Sequence, residues 1–359
     1  MKTRVSKKLL WLSLALALTL AGASAASAQP GEFVKGVLQP LADGFPKRAI
    51  ALVVVDDPGS RDGIYARQMQ QALKGISPVD IVVSDEPSSS WGLWVKLKEM
   101  PSRNGGSDGY YPIVVNVYAS ATDPLVEPIT EKLDLGLTDM NMVIVTEKQP
   151  YTVVQKKNAP WGRKFLDMIA WGKANPGKLR RPTDGIGSAQ DISGSAIMKH
   201  YGVKDVRLPQ PSTGAALAAL GAGEGDLMAI SVGASLPHVQ AGKMDYSMIF
   251  GSTVPAPWDK DPNVTTTDAL GLTFLSPIGV QMGFCVTKDI PKAHIDWLAK
   301  LFKAATATDI YKQREKTIPG WQSNLLGPAE ANALKESLAN LADPIIRDIG
   351  LHVDQRKKK

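Results

Sequence analysis

Short apolar runs bounded by turn residues alternate along the chain with segments of helical periodicity. The apolar runs predict buried strands at 49–55, 80–83, 113–118, 142–145, 227–231 and 244–250. Segments with apolar residues every three or four positions predict helices at 63–74, 161–173, 189–201, 213–220, 294–305 and 328–341. Because strands that alternate with helices are typical of α/β proteins, we expect largely parallel sheets.

The composition of the chain changes near 151–160 and again near 276–283. In both stretches a predicted strand passes through polar or Gly/Pro-containing sequence. Two such crossings predict a middle domain that is inserted into an outer one, with a cleft between them. We place the outer lobe at 29–153 and 274–359 and the inserted lobe at 154–273. The chain has no internal repeat of about 20 to 50 residues, which argues against solenoids and propellers.

The N-terminus has the three parts of a secretory signal. Four basic residues occur within 1–8, residues 9–20 are apolar, and the small residues Ala26-Ser27-Ala28 precede Gln29. We therefore expect 1–28 to be removed on export to the periplasm, with cleavage between Ala28 and Gln29. The apolar segment is too short for a comfortable membrane span.

Export also changes the charge balance. The chain has 41 Lys and Arg against 35 Asp and Glu, a formal net charge of +6. Removal of 1–28 takes away four basic residues and no acidic one, so 37 basic residues remain against 35 acidic ones. Four of these basic residues form the terminal stretch 356–359, which predicts a solvated tail. The balance gives no reason to expect nucleic-acid binding.

The reactive side chains argue against catalysis and metal binding. Cys285 is the only cysteine, and its apolar neighbours predict a buried packing role. A secreted hydrolase is the main rival, but the chain has no G-x-S-x-G elbow near any histidine. The histidines are His200, His238, His294 and His352. Neither a zinc spacing nor a calcium loop is present, so we expect no metal and no cofactor.

A first candidate ligand loop lies at 55–63, where a strand leads through a short glycine-containing turn into a helix. The free N–H groups at the start of a helix carry partial positive charge and can hold a carboxylate or a phosphate. The alternative interpretation is that Ser60 or Asp62 simply caps the helix.

A second candidate loop is Gly185-Ile186-Gly187-Ser188. Its glycines allow the backbone to approach a ligand closely, and Ser188 stands at a helix start. The loop is not a dinucleotide fingerprint, because Gln190 occupies the place of the third glycine, and no Walker lysine follows.

Taken together, these loops and several other segments resemble the extracytoplasmic substrate-binding receptors of tripartite tricarboxylate transporters, the Bug receptor family. The similar segments are 45–50, 53–59, 66–67, 107–110, 173–179, 185–190 and 236–243. They occur in the family's order and are spread along most of the mature chain.

The resemblance implies a type II-like periplasmic-binding-protein fold, in which two α/β domains joined by a hinge close a central cleft on a small organic acid. It further implies a monomer that presents the acid to a membrane permease. A receptor that acts on a membrane sensor without transport remains an alternative. In the family, two loops hold the anionic group of the ligand. By resemblance, the ligand-binding residues of this chain are Pro58, Gly59, Ser60, Gly185, Gly187, Ser188 and Gln190.

The chain also departs from the family pattern. Ser60 replaces the family's second glycine, Gly63 occupies the place of an aspartate, and Asp62 lies one residue early beside Arg61. We expect Arg61 to be exposed, although a buried Arg61 could pair bidentately with a ligand carboxylate. Trp91 stands near the place of a missing family turn and is a further candidate for the cleft, where it would favour an aromatic or longer acid, although the alternative is a core position, which is more common for tryptophan. The family's tyrosine in a later turn is absent from 209–213.

Overall fold

The computed structural model describes residues 29–56, 58–88, 90–99, 107–127, 130 and 132–356. The predicted signal at 1–28 and residues 357–359 of the predicted tail lie outside these residues. Within this part of the chain, no helix is both long enough and apolar enough to cross a membrane.

Strands and helices alternate along most of the chain, and each of the predicted strands and helices corresponds to an observed element. The strands are β1 (Phe33–Val34), β2 (Val37–Leu38), β3 (Ile50–Val54), β4 (Ile81–Asp85), β5 (Ile113–Asn116), β6 (Met140–Lys156), β7 (Leu179–Thr183), β8 (Asp205–Pro209), β9 (Leu227–Ser231), β10 (Met244–Ile249), β11 (Thr265–Thr266), β12 (Gly279–Thr287) and β13 (Gln322–Leu326).

The helices cover the faces of the sheets. They are α1 (Arg61–Ala72), α2 (Ser90–Glu99), α3 (Val117–Val126), α4 (Phe165–Ala174), α5 (Ala189–His200), α6 (Thr213–Gly221), α7 (Val232–Gln240), α8 (Lys292–Thr306), α9 (Asp309–Thr317), α10 (Pro328–Asp348) and α11 (Val353–Arg356). Short 3-10 helices occur at Leu137–Asp139, Trp258–Lys260 and Thr273–Leu275.

The main sheet is mixed, so the expectation of largely parallel sheets is wrong. Its strand order is β11-β10-β6-β12-β5-β3-β4, and β9 and β13 also pair with β6. The parallel pairs are β3 with β4 and β5, β7 with β8, and β10 with β11. Because β6 pairs antiparallel with β9, β10, β12 and β13, the centre of the sheet is antiparallel.

The long strand β6 connects two parts of the sheet. It spans 17 residues. Up to Pro150 it pairs with β12, and from Tyr151 onwards it pairs with β9 and β10. One lobe therefore surrounds the first part of β6 and the other surrounds the second part. The change of partner lies close to the domain boundary expected at 153/154, which stays a prediction.

Apolar packing extends through both lobes. One large cluster of buried residues includes the core of the first lobe and the helix α4. A second cluster lies within 154–249, where Val154, Met228 and Tyr246 pack against α6. Cys285 belongs to the large cluster and is 0% exposed, which confirms its predicted packing role. Burial raises the pKa of its thiol to about 12.

A buried ion pair ties α9 to the first part of β6. Arg314 Nε donates to Glu147 Oε2 at 2.5 Å, and its Nη2 donates to Glu147 Oε1 at 2.7 Å. Trp321 Nε1 and Gln149 Nε2 donate to the same carboxylate at 2.9 and 2.7 Å. Because these side chains all donate hydrogen bonds to the carboxylate, both oxygens of Glu147 have partners although the residue is 0% exposed.

We expect Glu147→Gln to lower the free energy of unfolding by roughly 3–5 kcal/mol, because it leaves the Arg314 charge buried without its partner. Urea unfolding of the variant and the parent measures the change. The matched control is Asp296→Asn, which breaks an exposed pair with Lys292 and should have a much smaller effect. Equal losses for the two variants would contradict the assignment of Glu147 as a structural anchor.

Candidate functional site

The first candidate loop joins β3 to α1, and Arg67 holds it against the helix. Arg67 Nη1 donates to Pro58 O at 3.3 Å and to Gly63 O at 3.0 Å, and it also contacts Asp85 Oδ1 at 3.2 Å. A Cβ atom at Gly63 would lie 2.5 Å from Pro58 O. Only glycine fits at this position of the loop.

The helix α1 begins with a serine cap and an internal ion pair. Ser60 Oγ accepts a hydrogen bond from Gly63 N at 3.1 Å, so Ser60 caps the helix, and the ligand-binding role of this helix start stays a prediction. Arg61 Nε donates to Asp62 Oδ1 at 2.8 Å. The side chain of Arg61 is 27% exposed, so it is partly buried and not exposed as we expected from the sequence. The side chain of Asp62 is 7% exposed. The Arg61 guanidinium is thus oriented by Asp62.

The second candidate loop joins β7 to α5 and ends in a serine cap of the same kind. Ser188 Oγ accepts from Asp191 N at 3.1 Å and lies 3.2 Å from Thr183 Oγ1. Gly187 has a φ of +86°, a conformation that favours glycine. Each lobe therefore presents the start of a capped helix, α1 or α5, at the end of a strand.

Buried charges brace this second loop from inside the lobe. Asp191 is 0% exposed, and its Oδ2 accepts from Gly187 N at 3.0 Å and from Arg207 Nη1 at 3.2 Å. Arg181, which is 1% exposed, donates to Asp191 Oδ1 at 3.1 Å and to Asp205 Oδ2 at 2.7 Å. The Gly187 N–H group is therefore occupied by the protein itself, and Asp191 fixes the loop's shape.

The two loops face each other across the cleft. A Cβ atom at Gly187 would lie 3.4 Å from Val126 Cβ, so the second loop packs on the end of α3. Electrostatic interactions join Arg61 to Tyr151 on β6 and to Asp184 in the second loop. Burial acts to lower the pKa of Arg61, but the negative charge of Asp62 contributes to a net increase. Arg61 is thus the cation between the lobes.

A hydrogen-bonded group of three side chains lies at the cleft face of the inserted lobe. Gln190 Nε2 donates to Thr213 Oγ1 at 3.0 Å, and Thr213 Oγ1 donates to Asp184 Oδ2 at 2.9 Å. Burial raises the pKa of Asp184, despite the hydrogen bonds from Ser188 and Thr213 and the charge of Arg61. We call Asp184, Gln190 and Thr213 the acceptor group.

The structure brings most of the predicted site residues to these loops. Pro58 and Gly59 are exposed, Ser60, Gly185 and Ser188 are half-buried, and Gly187 and Gln190 are buried. Trp91 is the exception, because it is 0% exposed and its Nε1 donates to Ser120 O at 3.3 Å within the core. Trp91 therefore has no surface for a ligand, and the expectation that it lies in the cleft is wrong.

Three residues of the site escaped the sequence prediction. Asp184 directly follows β7, and Thr213 begins α6, so their positions at strand and helix ends were a usable signal. Tyr151 gave no such signal because it is a buried residue in the middle of β6.

Other chemistry has less support. In the described ranges, no group of three or more His, Cys, Asp or Glu residues could hold a metal ion. His294 pairs with Asp43 at 2.8 Å and stacks on Phe45, and His352 Nε2 contacts Asp343 at 3.0 Å. These two histidines therefore have packing and pairing partners in the outer lobe.

Two open cavities lie outside the cleft. One, of about 510 Å³, is lined by residues that include Lys74 and Asp80, and the other, of about 320 Å³, by residues that include Lys300 and Leu325. Neither lining includes a residue of the two loops. These two cavities therefore do not belong to the candidate site.

Comparison with known proteins gives the family and the fold. Residues 65–318 match the family model of the tripartite tricarboxylate transporter family receptor. A UPF0065 protein of Bordetella pertussis is 22% identical over 315 residues, which cover 86% of this chain and 92% of that protein. The periplasmic binding protein BugD superposes with a TM-score of 0.72 at 19% identity, covering 86% of this chain and 99% of that one.

A further similar structure is MatC from Rhodopseudomonas palustris with bound malate. Its TM-score is 0.68 at 20% identity, with 85% of this chain and 99% of that one covered. These similarities show the fold, which confirms the predicted α/β periplasmic-binding-protein architecture with two lobes.

We expect Asp184→Asn to stabilise the protein at pH 7. The folded-state pKa of Asp184 is raised above its ordinary value of 3.8, so folding favours the protonated form. The free energy of unfolding therefore falls as pH rises from 3.8 to the folded-state pKa. The gain should therefore shrink towards pH 4 and below. Urea unfolding at several pH values measures it, with the exposed Asp259→Asn as a control that shows no such trend. A variant less stable than the parent at pH 7 would contradict this electrostatic assignment.

Proposed function

Because the chain belongs to the tripartite tricarboxylate transporter receptor family, we propose that it captures a small organic acid between its two lobes and delivers it to a permease of that transporter type. The family is one of solute-binding receptors and not of enzymes. MatC, which shares the fold, holds malate. An organic acid with at least one carboxylate is therefore the proposed ligand class for this chain as well.

One observation carries the proposal, namely that each lobe presents a braced, serine-capped helix start to the same cleft. Ser60 caps α1 in one lobe and Ser188 caps α5 in the other. Helix N-termini attract anions through their unpaired N–H groups and their dipoles. Arg61 adds a full positive charge between them. This arrangement favours a carboxylate that contacts both lobes.

We assign the outer lobe to 29–153 and 274–359 and the inserted lobe to 154–273. The strand β6 then forms the hinge, because it begins in the outer lobe and ends in the inserted lobe. A ligand that contacts both lobes is bound more tightly by the closed form than by the open form, so it shifts the balance towards closure.

The proposed location is the periplasm, as the family implies, and we assign 1–28 as the export signal. A monomer suffices for this role, because both ligand loops belong to one chain.

The direct test is binding of mono-, di- and tricarboxylates to the mature protein, measured by calorimetry and by thermal shift. We expect saturable binding of at least one acid, with a matching increase in melting temperature. The absence of binding by every acid would contradict the proposed function.

We expect Gly187→Ala to weaken this binding by about tenfold, since it strains a positive-φ residue within the second loop and so shifts the loop's backbone. The matched control is Gly202→Ala at the other end of α5. Gly202 also has a positive φ, of +66°, but a Cβ atom there meets nothing within 4 Å. Both variants should lose stability, whereas only the first should lose affinity. Unchanged affinity in Gly187→Ala would count against the second loop as a binding element.

A further inference from the structure

The hydrogen-bond directions within the acceptor group can be assigned from the chemistry of Thr213. A hydroxyl has a single proton, and Thr213 donates it to the carboxylate oxygen Asp184 Oδ2 at 2.9 Å. Thr213 Oγ1 must therefore accept from Gln190, which places the Gln190 amide nitrogen towards Thr213 at 3.0 Å. The amide oxygen of Gln190 then points away from Thr213 as an acceptor.

Two acceptor atoms of this group lack hydrogen-bond partners. Gln190 is 6% exposed, and neither its Oε1 atom nor the buried Oδ1 atom of Asp184 has a partner among the described residues. Buried polar atoms in proteins are nearly always paired, so two unpaired acceptors on either side of one threonine require an explanation. A ligand that donates hydrogen bonds to both atoms would supply their partners.

The charges around the cleft favour a ligand with a positive group. The carboxylates of Asp62 and Asp56 act on Arg61, and Arg61 in turn acts on Asp184. The Arg61 guanidinium therefore interacts with carboxyl groups of both loops. A ligand with several carboxylates would add negative charge to this arrangement, whereas an amino group would balance the charge of Asp184.

We propose that Asp184 and Gln190 bind the protonated amino group of the ligand, so that this receptor takes an amino acid in preference to the corresponding acid without nitrogen. An ammonium group has three donors and can supply both acceptor atoms, whereas a hydroxyl has one donor and can supply only one. The ligand's carboxylate then lies towards Arg61 and the helix starts. The inference rests on the proposed function, because it specifies the acid bound at the same site.

The test compares acids that differ only in one group. Three series vary the chain length: succinate, L-malate and L-aspartate; glutarate, L-2-hydroxyglutarate and L-glutamate; and propionate, L-lactate and L-alanine. Calorimetry at pH 7 gives each dissociation constant. In the series that binds, we expect the amino acid to bind at least about tenfold more tightly than the hydroxy acid, because charge-assisted hydrogen bonds are the stronger ones.

Asp184→Asn is the diagnostic variant, since it keeps the shape of the side chain and removes its charge. We expect it to weaken amino-acid binding by about tenfold or more and to leave binding of the acid without nitrogen unchanged or tighter. Asp259→Asn, an exposed change in the same lobe, should alter neither constant. Thermal unfolding of each variant checks that it is folded.

Other results overturn the inference in separable ways. If an acid without nitrogen binds the parent as tightly as its amino acid does, or if Asp184→Asn weakens both equally, the inference is wrong while the proposed function stands. If no acid of any series binds the folded parent, the proposed function fails and the inference fails with it.

Discussion

The structure depends on a single strand that belongs to both lobes. β6 pairs with β12 up to Pro150 and with β9 and β10 from Tyr151, so the two lobes cannot separate without breaking its ladder. We propose that this strand is the hinge about which the lobes rotate. Buried polar contacts fix the first part of β6 to α9 through Glu147 and Arg314, so the proposed hinge is a braced strand and not a loose linker.

The same principle of rigid support applies to the loops. The residues of a binding site keep their geometry only when the side chains that support them are fixed by packing and hydrogen bonds. Arg67 secures the first loop through Pro58 O, and Asp191 secures the second loop through Gly187 N. Arg61, in contrast, is paired with Asp62 and interacts with Asp184 of the second loop. The site thus combines fixed loops with a few polar atoms that remain for a ligand.

The sequence predicted the elements better than their arrangement. Local signals sufficed for the serine caps at Ser60 and Ser188, because capping depends on residues three positions apart. The length of β6 was missed because buried polar residues, such as Glu147 and Gln155, interrupt its apolar pattern. Their partners come from distant segments, which no local pattern records.

Long-range packing also explains the errors at the site. Trp91 is as compatible with a core as with a cleft until its neighbours are known, and the fold places it in the core. The orientation of Arg61 depends on Asp62 beside it and on Asp184 from the other lobe. The family resemblance pointed to the two loops in the sequence, but it could not show that Gly187 N is occupied or that Asp184 carries an unpaired oxygen.

The central claim is that the two lobes close on a ligand, and an interlobe distance measures closure most directly. Ile64 on α1 and Val206 on β8 are 54% and 42% exposed, so cysteines at these positions accept spin labels. Native Cys285 is 0% exposed, and its thiol pKa is raised to about 12, so it does not compete for the label. Pulsed electron paramagnetic resonance should show a broad distance distribution that becomes shorter and narrower when a binding acid is added. An unchanged distribution at saturating acid would contradict closure between the lobes.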